Sequence, residues 1–302
     1  MPNPKQTEAP PWTILNILKW TTSYFISHRV ENPRASAEIL LAHVLGVKRI
    51  DLYIRYDQPL IPNELSQFKA LIRRRARREP VAYIVGEREF WSMPIAVTPD
   101  VLIPRPETEC LVETALATLS SSALGEYPRP SPRILELGTG SGAVVLALAV
   151  ELRTAVFMAL DRSERAIAVA RRNARRFNLD PRVHFFCGDW FACLRPQGLY
   201  FDMILSNPPY IPTAEIDRLQ PEVARYEPRD ALDGGADGLM SIRTIIGRAH
   251  HYLRPGGHLL LEIGYDQKAD IERVVGGLSD YAHLHFIRDY SGHDRVVRLS
   301  RR

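Results

Sequence analysis

An α/β architecture is what this 302-residue sequence predicts: a doubly wound parallel sheet preceded by a small all-helical domain, the two joined by a β-hairpin. Three observations carry the prediction. Residues 12–80 read as helix after helix with no strand between them. After Pro132, short apolar runs alternate with helical stretches. The turn that closes the first of those runs is glycine-rich, Gly138-Thr139-Gly140-Ser141-Gly142, a composition that lets a strand fold sharply into a helix and come close to a ligand.

Each element follows from local sequence. Residues 12–29 place apolar side chains at helical spacing, and Asn32-Pro33 offers an N-cap with proline in the first turn of a second helix that ends near Gly46. Ile61-Pro62-Asn63 opens a further helix, which runs through five arginines between Arg73 and Arg78 and is closed by Glu79-Pro80. Tyr83-Ile84-Val85-Gly86, Glu89-Phe90-Trp91 and Ile95-Ala96-Val97 then read as short strands around turns. Pro104 and Pro106 stiffen the exit, and the Ser- and Pro-rich stretch 120–132 reads as a solvated loop. Strands at 133–137, 154–160, 183–186 and 201–206 follow, with helices from Gly142 and Glu164 between them. The domain expectation is therefore helical residues 1–80, a hairpin linker at 81–110 and the doubly wound domain at 111–302.

Composition excludes several classes. Hydrophobic residues make up 45% and charged residues 25%, and no apolar stretch nears the roughly 18 residues of a membrane span. Cys110, Cys187 and Cys193 are odd in number and lack the paired spacing of a zinc or redox site, which fits buried thiols in a reducing compartment. Met1-Pro2-Asn3-Pro4 lacks a signal-peptide layout and Glu8 comes early for a transit peptide, so the expected location is the cytoplasm. A net charge of +4 is mild, and the arginine run reads as the solvated face of a helix, with a partner or RNA surface as the sharper alternative.

The chemistry is carried by four strand ends. The glycine turn, read with Ala143, fits the dinucleotide fingerprint G-x-G-x-x-A, so a nicotinamide enzyme is one reading. Asp161 ends the second strand 23 residues beyond Gly138, where an acid can accept from both ribose hydroxyls; the bland reading is a helix N-cap before Ser163 and Glu164, and one residue could serve both roles. After the third strand, Gly188-Asp189-Trp190 sets a carboxylate and an indole where an adenine could be held, unless Trp190 is a core residue. After the fourth comes Asn207-Pro208-Pro209-Tyr210. Its bland reading is a tight turn. Its sharper reading is a clamp for a planar NH2 group: the Asn207 side-chain oxygen and the carbonyl of a proline-stiffened backbone accept, and Tyr210 offers a flat face. A clamp has no use in hydride transfer but suits a methyl acceptor, which favours S-adenosyl-L-methionine as cofactor, held by Gly138, Thr139, Gly140, Ser141, Gly142, Asp161, Asp189, Trp190 and Asn207.

With these residues in view, the chain resembles the bacterial peptide chain release factor glutamine N5-methyltransferase family nearly end to end. The likeness lies in the helical N-terminal part, in Arg78-Glu79-Pro80-Val81-Ala82-Tyr83-Ile84-Val85-Gly86 and in Leu102-Ile103-Pro104-Arg105-Pro106-Glu107-Thr108-Glu109. It continues through Asn207-Pro208-Pro209-Tyr210, Tyr226-Glu227-Pro228-Arg229-Asp230-Ala231-Leu232, Arg254-Pro255-Gly256-Gly257 and Arg288-Asp289-Tyr290. Glu136 stands where the family usually has aspartate, with the charge kept. The resemblance implies a Rossmann-like, seven-stranded class I methyltransferase sheet. It implies methylation of the side-chain amide of the glutamine in the Gly-Gly-Gln motif of class 1 release factors, with Asn207, Pro208 and Tyr210 catalytic and Asn207 to Tyr210 holding the substrate. Glu227 and Arg229 are further candidates for substrate recognition. The helical domain is expected to grip the body of the factor, with no membrane and no stable nucleic-acid partner. Two other classes stay open: a nucleic-acid amino-methyltransferase of the adenine N6 type sharing the clamp, and a non-enzymatic RNA-binding or assembly protein on the same scaffold.

Overall fold

The computed structural model describes residues 12–120, 131–195 and 201–302. The readings of the extreme N-terminus and of most of the stretch 120–132 lie outside them. The chain divides into two compact units, Met1–Gly86 and Glu87–Arg302.

The first unit is helical: α1 (Ile14–Ser27), α2 (Pro33–Leu45), α3 (Arg49–Ile54), α4 (Pro62–Ala76) and α5 (Val81–Val85). Phe25, Leu40, Leu41, Leu52 and Phe68 form its core. Thr13 caps α1, accepting from Asn16 N at 3.3 Å. Asn32 stands before α2 as expected, but in the left-handed region (φ +47°) and with no side-chain capping bond; Pro33 and the αL glycine Gly46 mark the helix ends instead. Glu38, inside the core, accepts from Arg34, Arg49 and Tyr53. Burial works against its charge, and these three donors outweigh it, so its pKa lies below the ordinary value.

Two expectations need correction here. Tyr83-Ile84-Val85 is not a strand but the body of α5: Pro80 before it and Gly86 (φ +84°) after it are helix punctuation, and they prevail over the β-branched composition while Ile84 joins the helical core. The arginine run is not uniformly solvated either. Arg73 and Arg77 are exposed, whereas Arg75 is buried and donates to Glu79 O at 3.1 Å, and Arg74 forms a two-point pair with the Glu79 carboxylate.

The second unit begins with a hairpin, β1 (Glu87–Phe90) and β2 (Met93–Ala96), whose strands start two residues and end one residue before those read in sequence. Trp91 and Ser92 make its turn, both with positive φ, the backbone twist that a two-residue hairpin requires. A 3-10 turn at Pro106–Thr108 leads into α6 (Glu109–Ser120). Then come β3 (Arg133–Leu137), α7 (Ala143–Glu151), β4 (Val156–Asp161), α8 (Glu164–Arg176), β5 (Val183–Cys187), β6 (Phe201–Ser206), α9 (Pro221–Tyr226), α10 (Met240–Ala249), β7 (Leu253–Glu262), α11 (Lys268–Gly276), β8 (Tyr281–Arg288) and β9 (Asp294–Arg301). Their sheet has seven strands in the order β5-β4-β3-β6-β7-β9-β8, with β9 antiparallel to both neighbours and the rest parallel.

The chain reverses direction of winding between β3 and β6, so a crevice opens at their carboxyl ends. Buried Asn173 on α8 fixes that crevice from behind, bonding Ala96 through both N–H and C=O and donating to Ser141 O at 2.8 Å. At the opposite edge, Asp202 interrupts the apolar run of β6. It is buried because Arg254 pairs with it at 2.5 Å and Arg133 N donates to it at 2.8 Å, tying the starts of β3, β6 and β7 together. Arg254→Met would strand that carboxylate, and a loss of about 3–5 kcal/mol is expected in urea denaturation.

Candidate active site

A cavity of about 640 Å3 occupies the carboxyl edge of β3, β4, β5 and β6. Gly138, Thr139, Gly140 and Ser141 line one wall. Gly140 (φ +54°) has nothing within 4 Å of where a side chain would begin, so the turn presents bare backbone to the cavity. Gly142 departs from its expected role: it does not line the cavity, and a Cβ there would meet Ala170 at 3.2 Å, so its bareness serves the packing of α8.

Asp161 braces the same turn. Its Oδ2 accepts from Gly140 N and its Oδ1 from Ser163 N, both at 2.9 Å, which leaves each oxygen a lone pair for a ligand hydroxyl. Burial raises its pKa against the pull of those amides. The helix cap of α8 is Ser163, which accepts from Ala166 N at 3.2 Å, so Asp161 is free of that duty. Asp189, exposed, and Trp190, half-buried, line the same cavity; the indole edge lies 3.8 Å from the Cβ position of Gly138, against the glycine turn.

Glu136 forms the floor. It is buried, accepts from the Thr139 hydroxyl, and is pushed up to about 8 by burial, against Thr139 and the Val145 amide and with the nearby Asp161 charge.

Asn207 and Pro209 reach this cavity, and they also line a second one of about 390 Å3, together with Pro208 and Tyr210. Leu102, Arg105 and Ala231 are shared as well, so the two cavities adjoin at Asn207. Asn207 Nδ2 donates to Thr108 Oγ1 at 3.2 Å, which leaves the side-chain oxygen for the cavities. Tyr210 is held at two points: its hydroxyl donates to Glu262 Oε1 at 3.2 Å and its carbonyl accepts from Gln267 Nε2 at 3.0 Å. Its phenol pKa is raised by burial and by the Glu262 charge.

The long connection after β6 is more ordered than a polar loop, with a 3-10 helix at Thr213–Arg218, α9 and a further 3-10 turn at Arg229–Ala231. Neither Glu227 nor Arg229 lines either of these two cavities. Buried Glu227 pairs with Arg105 at 2.6 Å and accepts from Ile103 N at 3.1 Å, which fixes the Pro104-Arg105-Pro106 segment beside Asn207; Arg229 pairs with Asp217 at 3.1 Å. The expectation of three buried thiols holds only for Cys110, since Cys187, the last residue of β5, and Cys193 beyond it are exposed. Thr108 and Glu262 had no role assigned in sequence, and Glu227 was read only as a candidate for substrate recognition. The signal for Glu262 was an acid set within the apolar run Leu259-Leu260-Leu261-Glu262-Ile263.

The seven-stranded order and the crevice at its switch point are those of a class I methyltransferase, and residues 129–279 match the family model of a methyltransferase domain. A methyltransferase of known structure from Pyrococcus furiosus shares the fold, with a TM-score of 0.50 at 18% identity over 76% of this chain and 98% of that one. Residues 16–86 match the model of the PrmC N-terminal domain. The release factor glutamine methyltransferase of Geobacter sulfurreducens is 45% identical over 96% of this chain and 98% of its own length, and that of Chlorobaculum tepidum 41% identical over 94% and 96%. The chain belongs to the release factor glutamine methyltransferase family. Among the described residues no helix is long and apolar enough to cross a membrane.

Glu136 yields a pH prediction. Its folded pKa of about 8 lies above the ordinary 4.5, so the folded state keeps a proton that the unfolded state releases. The stability it contributes is complete below pH 4.5 and is lost as pH rises toward 8. Between pH 5 and 8.5 the urea midpoint should therefore fall more steeply for the wild type than for Glu136→Gln.

Proposed function

We propose that the chain methylates the side-chain amide nitrogen of the glutamine in the Gly-Gly-Gln motif of class 1 peptide chain release factors, with S-adenosyl-L-methionine as donor. Family membership supports the activity, and the observation that carries the site is the position of Asn207 where two cavities meet. The larger cavity suits the donor chemically. Bare glycine backbone, the free lone pairs of Asp161, the Asp189 carboxylate and the Trp190 ring match a nucleoside with two ribose hydroxyls, an exocyclic amine and a planar base. When bound, S-adenosyl-L-methionine supplies a methyl group on a positively charged sulfur.

The acceptor is the difficult partner. An amide nitrogen shares its lone pair with the carbonyl and is a poor nucleophile, so the protein's contribution is positioning. In this reading Asn207 Oδ1 and the Pro208 carbonyl accept the two amide hydrogens and aim the nitrogen at the methyl within about 3–3.5 Å. Tyr210 and the neighbouring prolines wall the second cavity around the carboxamide plane. Two fixed acceptors also favour the positive charge that grows on nitrogen during transfer. Alkylation makes that nitrogen strongly acidic, so its proton leaves to solvent or to an accepting carbonyl without a dedicated base.

Incubation with labelled donor and either a release factor, its Gln→Ala variant, or bulk RNA and DNA tests the reading. Label should enter the intact factor alone; label on nucleic acid would favour the amino-methyltransferase of the same clamp. Asn207→Ala should lose about 2.7 kcal/mol or more of transition-state stabilisation in kcat/KM, and a near-normal value would refute the clamp.

One glutamine side chain buries too little area to single out one protein, so recognition of the factor's body falls to another surface. The helical unit offers exposed Trp20, Ile50, Ile54 and Tyr56. Replacing Ile54 and Tyr56 by Ser should raise KM for the factor several-fold while leaving donor affinity unchanged.

A further inference from the structure

Arg105 lines both cavities beside Asn207, and the mechanism above does not use it. Its Nη2 donates to Glu227 Oε1 at 2.6 Å, and buried Glu227 is fixed in turn by Ile103 N at 3.1 Å. Nε and Nη1 have no hydrogen-bond partner among the described residues, and 32% of the side chain is exposed. A guanidinium anchored at one nitrogen to a buried acid keeps donors enough for a second carboxylate, and its direction is already set.

We propose that Arg105 binds the amino-acid carboxylate of the donor. This deepens the proposed function and rests on its assignment of S-adenosyl-L-methionine to the larger cavity. The order of the strands gives the first argument. β5, β4, β3 and β6 lie side by side. Asp189 and Trp190 follow β5, Asp161 ends β4, the glycine turn follows β3 and Asn207 follows β6. A donor with its base at Asp189 and its ribose at Asp161 therefore extends its amino-acid end across the glycine turn toward β6, where Arg105 stands with Asn207.

Charge gives the second argument. S-adenosyl-L-methionine carries a sulfonium, an ammonium and a carboxylate, which sum to one positive charge. The larger cavity suits that sum, since among the described residues six carboxylates line it against two guanidinium groups, Arg105 and Arg162. The donor's single anionic group needs one of those two. Arg162 follows Asp161, at the ribose end, and pairs with Asp230 at 2.8 Å. The amides of the glycine turn are no substitute: Thr139 N donates to Leu160 O, Gly140 N to Asp161 and Gly142 N to Thr139 O. Arg105 is the cation at the end where the carboxylate arrives. The acceptor offers a rival use, donation from Arg105 to the side-chain carbonyl of the glutamine. That bond would draw the nitrogen lone pair further into the amide and oppose the transfer, whereas a bond to the donor leaves the acceptor nitrogen untouched. Arg105 thereby becomes the residue that separates the full donor from a sulfonium nucleoside without the carboxylate.

The test compares S-adenosyl-L-methionine with its decarboxylated form, which has the same base, ribose and sulfonium. Affinities are measured by calorimetry for wild type, Arg105→Gln, Arg105→Lys and the Arg105→Gln/Glu227→Gln pair, and KM for a release factor is measured beside them. Wild type should bind the full donor about 10-fold or more tighter than the decarboxylated one. Arg105→Gln should lose that preference by weakening the full donor alone, with the decarboxylated ligand bound at least as tightly as by wild type. Arg105→Lys keeps the charge without the fork and should keep part of the preference. A wild type indifferent to the carboxylate, or an Arg105→Gln protein that weakens both ligands alike, would overturn the inference. So would an Arg105→Gln protein that keeps the preference and raises only KM for the factor, which would put the guanidinium on the substrate. Should Arg105→Gln fail to fold because Glu227 is left unpaired in the interior, the double variant, which removes both charges, decides by the same comparison. A protein that shows this pattern of binding but leaves the factor unlabelled would refute the acceptor reading and leave the inference standing. One that binds neither ligand would refute the donor reading and the inference with it.

Discussion

The hydrogen bond from Asn207 to Thr108 joins segments 99 residues apart in the chain, and the geometry of the site depends on it. Neither partner is held by its own element alone. Asn207 follows β6 directly and inherits its place from a fully buried strand between β3 and β7. Thr108 sits in the 3-10 turn before α6, and the segment leading into that turn is fixed by Glu227 through Arg105 and Ile103. The connection that carries Glu227 is itself tied down beside the clamp, where Gln267 bonds the carbonyls of Tyr210 and Gly238. Gly238 (φ +76°) must be glycine for this, since a Cβ would come within 2.4 Å of Tyr210 O.

This rigidity is reached by burying acids, each with a different compensation. Asp202 is neutralised by Arg254 far from the crevice, where a charge pair links three strands. Glu227 uses Arg105 in the same way at the rim of both cavities. Glu136 and Glu262 have no guanidinium directly on them and rest on hydroxyls, and burial raises both toward neutrality, as it also raises Glu227 against the pull of Arg105. The acids paired with arginine thus serve architecture. The two held by hydroxyls lie under the floor of the crevice and behind the clamp, where an acceptor that cannot rearrange is worth its desolvation.

Much of this was legible in the sequence where one residue type answers a local demand. Positive φ at Gly138 and Gly140, the strand-ending acid Asp161 and the proline-stiffened Asn207 each follow from backbone chemistry within a few residues, and the structure brings them to one crevice. The seven-stranded sheet likewise follows from the alternation of apolar runs and helices. Local composition misleads where punctuation competes with propensity, as in the α5 segment, which Pro80 and Gly86 turn into a helix. It is silent where a role arises from approach in space. Nothing near Gly142 tells that Ala170 presses on it, and nothing near Thr108 tells that Asn207 does. Glu262 was visible as an anomaly, but its partner Tyr210 lies 52 residues away.

The proposed clamp, made only of acceptors, would also separate glutamine from its nearest relatives without a further device. Glutamate has the same shape but offers a carboxylate, and two fixed oxygens facing that charge repel it, so the discrimination is electrostatic rather than steric. An asparagine is one methylene shorter, so a backbone held where that of glutamine is held would leave its nitrogen short of the two acceptors. A protonated lysine brings three donors, but its nitrogen has no free lone pair, and a buried site would have to remove a proton before any transfer. On the proposed reading the arrangement would select a neutral NH2 at a set distance, with the same two oxygens that aim the nitrogen. Selectivity and orientation become one property, and both fail together if the Asn207 carboxamide turns around.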